Sequence, residues 1–137
     1  MYTGTGETAS VGNSNVVNTN IVATVKAAQG ADTINNVKAG DKITLATESA
    51  ITKLVAYKSG RVVDSGDVSS ISDLNADSGT GDVFVLKDGT DYFLVYEASG
   101  SGDTTNLGSG AEIIKLVGFT DSNTISVDTD NKTIIIG

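Results

Sequence analysis

The sequence has no cysteine, no histidine, no proline and no tryptophan among its 137 residues. Without cysteine the chain can form no disulfide, no thiolate nucleophile and no cysteine-based metal site. Without histidine it has no imidazole to act as a general base or to bind zinc. These absences remove several of the commonest catalytic and metal-binding chemistries, and we expect a protein that is not an enzyme.

Basic residues are also few. Lys and Arg total 9 against 17 Asp and Glu, which gives a net charge of −8. This charge argues against a nucleic-acid partner, because a phosphate backbone binds basic surfaces. The acidic total comes from 13 Asp and only 4 Glu. Asp-rich turns suit calcium-rich extracellular surroundings, since short carboxylates bind a hard cation, although a soluble acidic surface explains the same composition.

Long apolar runs are absent as well. None approaches the length of a membrane span, so we expect no membrane-spanning segment. The stretch Met1–Glu7 has neither a basic region nor an apolar core, and so it shows no Sec-type signal. We therefore expect a cytoplasmic protein, a fragment of a longer chain, or a protein exported by a route encoded elsewhere in its sequence.

The residues that are abundant favour strands and turns. Gly, Ser, Thr, Asn and Asp are frequent, and Val and Ile are abundant. We predict an all-β fold, a compact β-sandwich or β-roll with one or two short helices. Residues 1–19 are low in complexity, and we expect them to be loosely ordered or to donate a strand. Residues 20–137 are expected to form a single β-rich domain, in keeping with the length.

The stretch Gly81–Glu97 is the clearest local pattern, because it holds two apolar runs joined by Asp88-Gly89. This arrangement predicts a β-hairpin, in which Gly89 accepts a positive φ and Asp88 tolerates the left-handed region. Apolar residues lie on both sides of both strands. We therefore expect this hairpin to be covered on both faces and to form the centre of the core.

Other segments carry weaker strand and helix patterns. A helical spacing of Val68, Ile71 and Leu74 predicts a short helix over Asp67–Ala76. The segment Thr47–Tyr57 fits a helix and a strand about equally. The remaining predicted strands are Asn20–Lys26, Thr33–Val37, Lys42–Leu45, Arg61–Asp64, Glu112–Gly118, Asn123–Val127 and Lys132–Ile136. The last two are joined by a predicted turn at Asp128–Asn131.

From residue 30 onward the chain carries a series of motifs in a fixed order: Gly30–Ile34 followed by Gly40–Leu45, Val83-Phe84 with Asp88-Gly89 and Asp91-Tyr92, Ile113–Thr120, and the apolar end Thr133–Gly137. This order resembles the C-terminal secretion and assembly domain of type I secreted repeats-in-toxin-like proteins, including bacterial surface-layer proteins. The chain departs from the family in lacking the repeated calcium-binding nonapeptide. It also has Asn35-Asn36 where the family often has an Asp.

The resemblance implies an extracellular or cell-surface protein, exported through a type I channel under the direction of its uncleaved C-terminal region. It further implies a non-catalytic role in a surface layer or adhesin. A stand-alone structural subunit of an extracellular filament or lattice is the alternative of the same kind. Under either interpretation the expected partners are the export machinery and further copies of the chain.

Calcium is the candidate cofactor, because its shell takes six to eight oxygen ligands. The candidate ligands are Asp103 and Asn106 in the polar loop Gly100–Gly110, and Asp41 together with Asp32. Asp88 with Asp91 is a further candidate pair. A solvated loop explains the same residues equally simply.

The one catalytic alternative starts from Asp64-Ser65-Gly66, which follows two valines. Aspartic proteases use such a strand and turn, with two carboxylates sharing one proton. With one copy per chain the enzyme would be a homodimer using Asp64, and Leu116–Gly118 would supply the apolar strand beside the turn. A Gly-containing β-turn after a strand is the simpler explanation.

The terminal strand Thr133–Ile136 must pair inside the fold, or it leaves an exposed apolar edge. A neighbouring subunit can cover such an edge by adding a strand. The N-terminal segment, with Val11, Val16 and Val17, is the candidate donor. Self-association by strand addition is therefore a hypothesis for this chain.

Overall fold

A computed structural model of the chain describes residues 2–3, 9–10, 33–45, 51–64, 80–99 and 110–137. Over these residues the chain forms eleven strands in two sheets. They are β1 (Tyr2–Thr3), β2 (Ala9–Ser10), β3 (Thr33–Ile34), β4 (Lys42–Thr44), β5 (Val55–Ala56), β6 (Val62–Asp64), β7 (Asp82–Asp88), β8 (Asp91–Ser99), β9 (Gly110–Leu116), β10 (Ile125–Asp128) and β11 (Thr133–Ile136). The predicted all-β fold is confirmed.

The major sheet is built on three long strands, β7, β8 and β9, which pair antiparallel in chain order. Short strands flank this centre on both sides. Along β7, both β5 and β6 run parallel to it. Along β9, β2 runs antiparallel and β3 runs parallel. The predicted central hairpin is confirmed as β7 and β8.

The hairpin turn lies one residue later than the sequence predicts. Asp88 pairs with Asp91, so the two loop residues are Gly89 and Thr90 rather than Asp88 and Gly89. Gly89 has a φ of 64°, and neither Asp88 nor Thr90 has a positive φ. A positive φ at the first loop residue alone is the type II′ pattern, which requires Gly at that position and allows Asp88 to end the strand.

The minor sheet has the order β1, β4, β11, β10. The C-terminal strand β11 is therefore not an edge strand. Ile134 pairs with Ile43 of β4 on one side and with Val127 of β10 on the other. The exposed apolar edge considered from the sequence does not arise, because β4 covers it within the chain.

The two sheets pack against each other as a β-sandwich. One face of the major sheet and one face of the minor sheet contribute to a single buried cluster, and its strand residues are Ile43, Val83, Val85, Leu94, Tyr96, Ile114, Leu116, Ile125, Ile134 and Ile136. Burying each such side chain contributes about 1.5–3 kcal/mol. The opposite face of the major sheet, with Phe84, Leu86 and Phe93, is buried too. Burial of the hairpin on both faces is thus confirmed.

The ambiguous segment Thr47–Tyr57 forms a strand, β5, at Val55–Ala56, and the described part of it contains no α-helix. A single turn at Tyr57–Gly60 then separates β5 from β6. Its residues Lys58 and Ser59 have φ of 54°. The helix predicted over Asp67–Ala76 and the strand predicted over Asn20–Lys26 lie outside the described residues.

Gly60 closes this turn where the two sheets approach each other. Its φ is 72°, and an added Cβ would lie 1.7 Å from the carbonyl oxygen of Ile125 in β10. Only glycine combines that conformation with that approach. The turn therefore joins the β5 side of the major sheet to β10 of the minor sheet.

Candidate functional site

The candidate site is the C-terminal closure, which we define as β11, Gly137 and the backbone groups that hold them. Its strand β11 is hydrogen-bonded on both sides, in register from Thr133 to Ile136. Ile134 is fully buried and Ile136 is 1% exposed. The hydroxyls of Thr133 and Thr44 lie 3.3 Å apart across the β4 pairing. Backbone pairing and apolar packing together fix this strand in the interior of the minor sheet.

Gly137 is tied to the segment that precedes β10. Its N–H donates to the carbonyl of Thr124 at 2.7 Å, and its own carbonyl accepts from the Thr124 N–H at 3.3 Å. The side-chain amide of Asn123 also donates to the Gly137 carbonyl, at 2.8 Å. These bonds continue the hydrogen-bond ladder between β10 and β11 one residue beyond the pair Ile125–Ile136.

A second set of backbone bonds joins the closure to the turn before β4. Ile136 donates to the carbonyl of Asp41 at 2.9 Å, and Gly40 donates to the carbonyl of Ile136 at 2.8 Å. At the other end of the strand, Leu45 donates to the carbonyl of Lys132 at 2.7 Å. The last residues of the chain are thus held by residues some ninety positions earlier, as the separation of 89 between Thr44 and Thr133 illustrates.

The hairpin that delivers β11 has a four-residue loop, because Asp128 pairs with Thr133. The Asp128 carboxylate accepts from the backbone N–H of Asn131 at 3.2 Å and from its side-chain amide at 2.8 Å. These bonds, chiefly the one from the Asn131 side chain, hold the pKa of Asp128 below its ordinary value of 3.8. Lys132 completes the reversal with a φ of 49°. The predicted turn is confirmed in place but, as in the central hairpin, lies one residue later.

A polar cluster, formed by Lys87, Tyr92 and Asp121, joins the central hairpin to the segment before β10. The Lys87 ammonium donates to both carboxylate oxygens of Asp121, at 2.9 and 2.8 Å. The Tyr92 hydroxyl donates to the same carboxylate at 2.9 Å. The Tyr92 ring also packs on Phe119, with ring centroids 5.4 Å apart. Sequence reasoning missed Asp121, since no local spacing relates it to a lysine 34 positions away.

The charges of this cluster stabilise one another rather than prepare a catalytic group. The hydrogen bonds from Lys87 and then Tyr92 lower the pKa of Asp121 from 3.8. The bond to Asp121 raises the pKa of Lys87 above 10.5, and burial followed by that same carboxylate raises the pKa of Tyr92 above 10.0. A general base needs a pKa near neutrality. All three shifts move away from it, so the cluster serves as a structural tie.

The candidate metal ligand Asp41 belongs to a turn. Its carboxylate accepts from the backbone N–H of Lys38 at 3.0 Å, and its other oxygen lies 3.8 Å from the Lys38 ammonium. The other candidates, Asp103, Asn106 and Asp32, lie outside the described residues. Within the ranges that the structure describes, no group of three Asp or Glu side chains is placed to hold a metal ion.

Asp88 and Asp91, the remaining candidate pair, face each other across the hairpin turn. Asp91 forms an ion pair with Lys115 of β9 at 3.0 Å. This ion pair links β8 to β9 and neutralises one of the two carboxylates.

Asp64 ends β6 in an exposed position, in register with Lys87 of β7. The protease alternative placed Leu116–Gly118 beside its turn, and this placement is wrong. Leu116 ends β9, and strands β7 and β8 lie between β6 and β9 in the sheet. The reason is that β6 pairs parallel with β7 at the opposite side of the major sheet.

Two short N-terminal strands join different sheets of the fold. Tyr2–Thr3 joins the minor sheet as β1, and Ala9–Ser10 joins the major sheet as β2. The described part of the segment 1–19 therefore does donate strands, and in this structure it donates them to its own chain.

No helix in the described part of the chain is both long and apolar enough to cross a membrane. No family model matches the sequence, and no curated protein is significantly similar to it.

Proposed function

We propose that this chain is the non-catalytic C-terminal secretion and assembly module of an extracellular bacterial protein, of surface-layer or adhesin type, exported by a type I system. The motif order from residue 30 onward suggests the class. The observation that carries the proposal is the position of β11, an interior strand of the minor sheet that pairs with β10 and with the distant strand β4.

An interior C-terminal strand suits a protein that crosses a membrane before it folds. Without β11, strands β4 and β10 have no shared partner, because neither pairs with the other. The minor sheet is thus incomplete until the final residues are free to pair. A chain with this arrangement cannot complete its minor sheet while residues 133–136 are held by a channel, and it completes the fold once they are released.

The composition supports the same role. The chain has no cysteine, so its folding outside the cell requires no oxidant or disulfide isomerase. Its 13 Asp residues would be partly neutralised in calcium-rich surroundings, which reduces the self-repulsion of a chain with a net charge of −8.

The test is export of a passenger protein fused to the N-terminus of this chain, in cells that carry a type I system. Removing residues 111–137 should abolish export. The matched control is Ile134→Asp, which keeps the length of the C-terminal region and prevents only the packing of β11. This variant should still be exported, and it should be sensitive to protease outside the cell. Removing residues 1–19 should leave export unchanged.

Export of the protein lacking residues 111–137 at the wild-type level would contradict the secretion role. If that truncated protein is exported but no longer assembles, the stand-alone structural subunit becomes the better interpretation. The two roles are therefore separated by one pair of measurements on the same variants, secreted amount and particle mass.

A further inference from the structure

The outer side of β4 is held by very few contacts. Its partner there, β1, pairs through two residues only, Tyr2 with Ile43 and Thr3 with Thr44, in a parallel arrangement. The next strand along the chain, β2, belongs to the major sheet and is also held by only two residue pairs, with β9. Parallel pairs are slightly less stable per residue than antiparallel ones, so β1 can leave its place without disturbing the rest of the minor sheet.

We propose that the outer edge of β4 is an assembly surface that accepts β1 from a second copy of this chain, in the register seen within one chain. The inference rests on the assembly part of the proposed function and does not depend on the export route. Each copy then gives its own Tyr2–Thr3 to a neighbour, so the number of β1–β4 pairs is conserved.

The edge selects this segment over unrelated strands. Only three residues, Lys42–Thr44, form β4, and Lys42 is exposed. Short edge strands that carry lysine discourage indiscriminate pairing. The segment Tyr2–Thr3 already pairs with this edge in cis, so the same segment of an identical copy meets identical partners.

The length of chain after the N-terminal strands allows the exchange when β2 leaves β9 together with β1, and only two residue pairs hold β2 there. Residues 11–32, which number 22, connect β2 to β3. Whatever their course, such a connection reaches at most about 70 Å. A domain of this size has a radius of gyration of about 14 Å, which corresponds to a diameter of about 37 Å. The donor strand can therefore reach a neighbour in contact with its own domain.

The concentration of neighbouring copies decides whether β1 pairs with β4 of its own chain or with β4 of a second copy. A flexible tether keeps its own strand at an effective concentration of about 1 mM. Copies packed in contact at a spacing of about 37 Å are at tens of millimolar. The chain should therefore close on itself in dilute solution and exchange strands when it is crowded into a layer.

The absence of cysteine makes a direct test simple. Thr3 and Thr44 pair across β1 and β4, at the Cα separation that a disulfide bridges. The single variants Thr3→Cys and Thr44→Cys are mixed in equal amounts, one of them labelled with ¹⁵N, and oxidised at several protein concentrations. A mixed disulfide dimer should form, and its fraction should rise steeply above about 1 mM.

The matched control is the mixture of Thr44→Cys with Thr133→Cys. Those positions also pair directly, but on the interior side of β4, where strand exchange is not expected. The mixed dimer should be at least ten times scarcer in this control. The double variants Thr3→Cys/Thr44→Cys and Thr44→Cys/Thr133→Cys should both close within one chain when dilute, which shows that each variant folds.

Equal mixed-dimer yields in the two mixtures at every concentration would overturn the proposal. That result would leave the export experiment untouched, because the export variants carry no cysteine. Conversely, export of the protein lacking residues 111–137, together with an enriched Thr3–Thr44 mixed dimer, would reject the secretion role and retain the exchange.

Discussion

The two sheets of this molecule are assembled from very different parts of the sequence. The centre of the major sheet consists of β7, β8 and β9, which follow one another in the chain and pair with their immediate neighbours. The minor sheet joins β4 to β11, whose paired residues Thr44 and Thr133 are 89 positions apart. Local pairing has a small loop-closure cost and non-local pairing a larger one. We therefore expect the major sheet to form first and the minor sheet to close the fold.

The largest expected effect comes from removing Thr133–Gly137. Two fully or nearly fully buried side chains, Ile134 and Ile136, are lost, at about 1.5–3 kcal/mol each. The pairing of β4 with β11 is lost with them. Domains of this size are stable by only about 5–15 kcal/mol. The truncated chain should lose its cooperative thermal transition, measured by circular dichroism.

Removal of Met1–Thr3 is the control at the other end of the chain. It removes the two residue pairs of β1 and should leave a cooperative transition. A truncated chain lacking Thr133–Gly137 that melts like the intact protein would show that the minor sheet does not depend on β11.

A matched pair of substitutions compares the two sheets directly. Ile114 in β9 and Ile134 in β11 are both fully buried. Replacing either by Ala should lower the free energy of unfolding by about 2–5 kcal/mol. The kinetics should differ, because a contact formed early changes the folding rate and one formed late changes the unfolding rate.

Stopped-flow folding and unfolding measurements check this prediction. Ile114→Ala should mainly slow folding, and Ile134→Ala should mainly accelerate unfolding. If Ile134→Ala mainly slows folding and Ile114→Ala mainly accelerates unfolding, the minor sheet forms before the major sheet.

The contact between the sheets at Gly60 is expected to have a smaller effect. Gly60→Ala combines a φ of 72° with a Cβ placed 1.7 Å from the Ile125 carbonyl oxygen. Gly40→Ala is the matched control, since its φ is 93° but nothing lies within 4 Å of its added Cβ. Positive φ at a non-Gly residue costs about 1–3 kcal/mol. The free energy of unfolding should fall more for Gly60→Ala, and equal losses would mean that the contact is easily relieved.

The smallest effect is expected at the cluster of Lys87, Tyr92 and Asp121. Asp121 is exposed and Lys87 and Tyr92 are half-buried, and an ion pair this near the surface contributes little. Asp121→Asn should lower the melting temperature slightly at pH 7. Lys87→Met should have a similar effect, and the double variant should lose less than the sum of the two. Additive losses would show that the contact between the groups contributes nothing.

The pH dependence of this cluster follows from its pKa shifts. The pKa of Asp121 is lowered in the fold, so its stabilisation is present above 3.8 and is lost as the pH falls below that value. The pKa values of Lys87 and Tyr92 are raised, so their stabilisation is present below 10.5 and 10.0 and is lost as the pH rises further. The difference in melting temperature between the wild type and Asp121→Asn should therefore shrink as the pH falls below 3.8 and vanish once Asp121 is protonated in the folded protein.

Sequence reasoning located the local features of the fold. Both hairpins were predicted, because alternating apolar residues and a short polar turn are sufficient to define a hairpin. Both turns were placed one residue too early. In the second hairpin the physical reason is visible, since the Asp128 side chain accepts hydrogen bonds from Asn131 while its backbone still pairs with Thr133. An aspartate that precedes a turn thus ends the strand.

The non-local features were beyond the reach of the sequence. Nothing in Lys42–Thr44 indicates that it pairs with a strand at the other end of the chain. The parallel pairing of Val55–Ala56 with β7 depends on tertiary context, which resolves a segment whose local pattern fits two structures. The candidate site followed the same division, because β11 was predicted as a strand and its interior position was one of two alternatives, but its pairing with β4 was not predicted.

The most direct test of the account is pulsed hydrogen exchange during refolding of the intact chain. The central claim is that β11 completes a fold whose major sheet already exists. Amides of β8 and β9 should be protected in an early phase, and those of β4 and β11 in a later one. Simultaneous protection of all four strands, or earlier protection of β4 and β11, would contradict the claim.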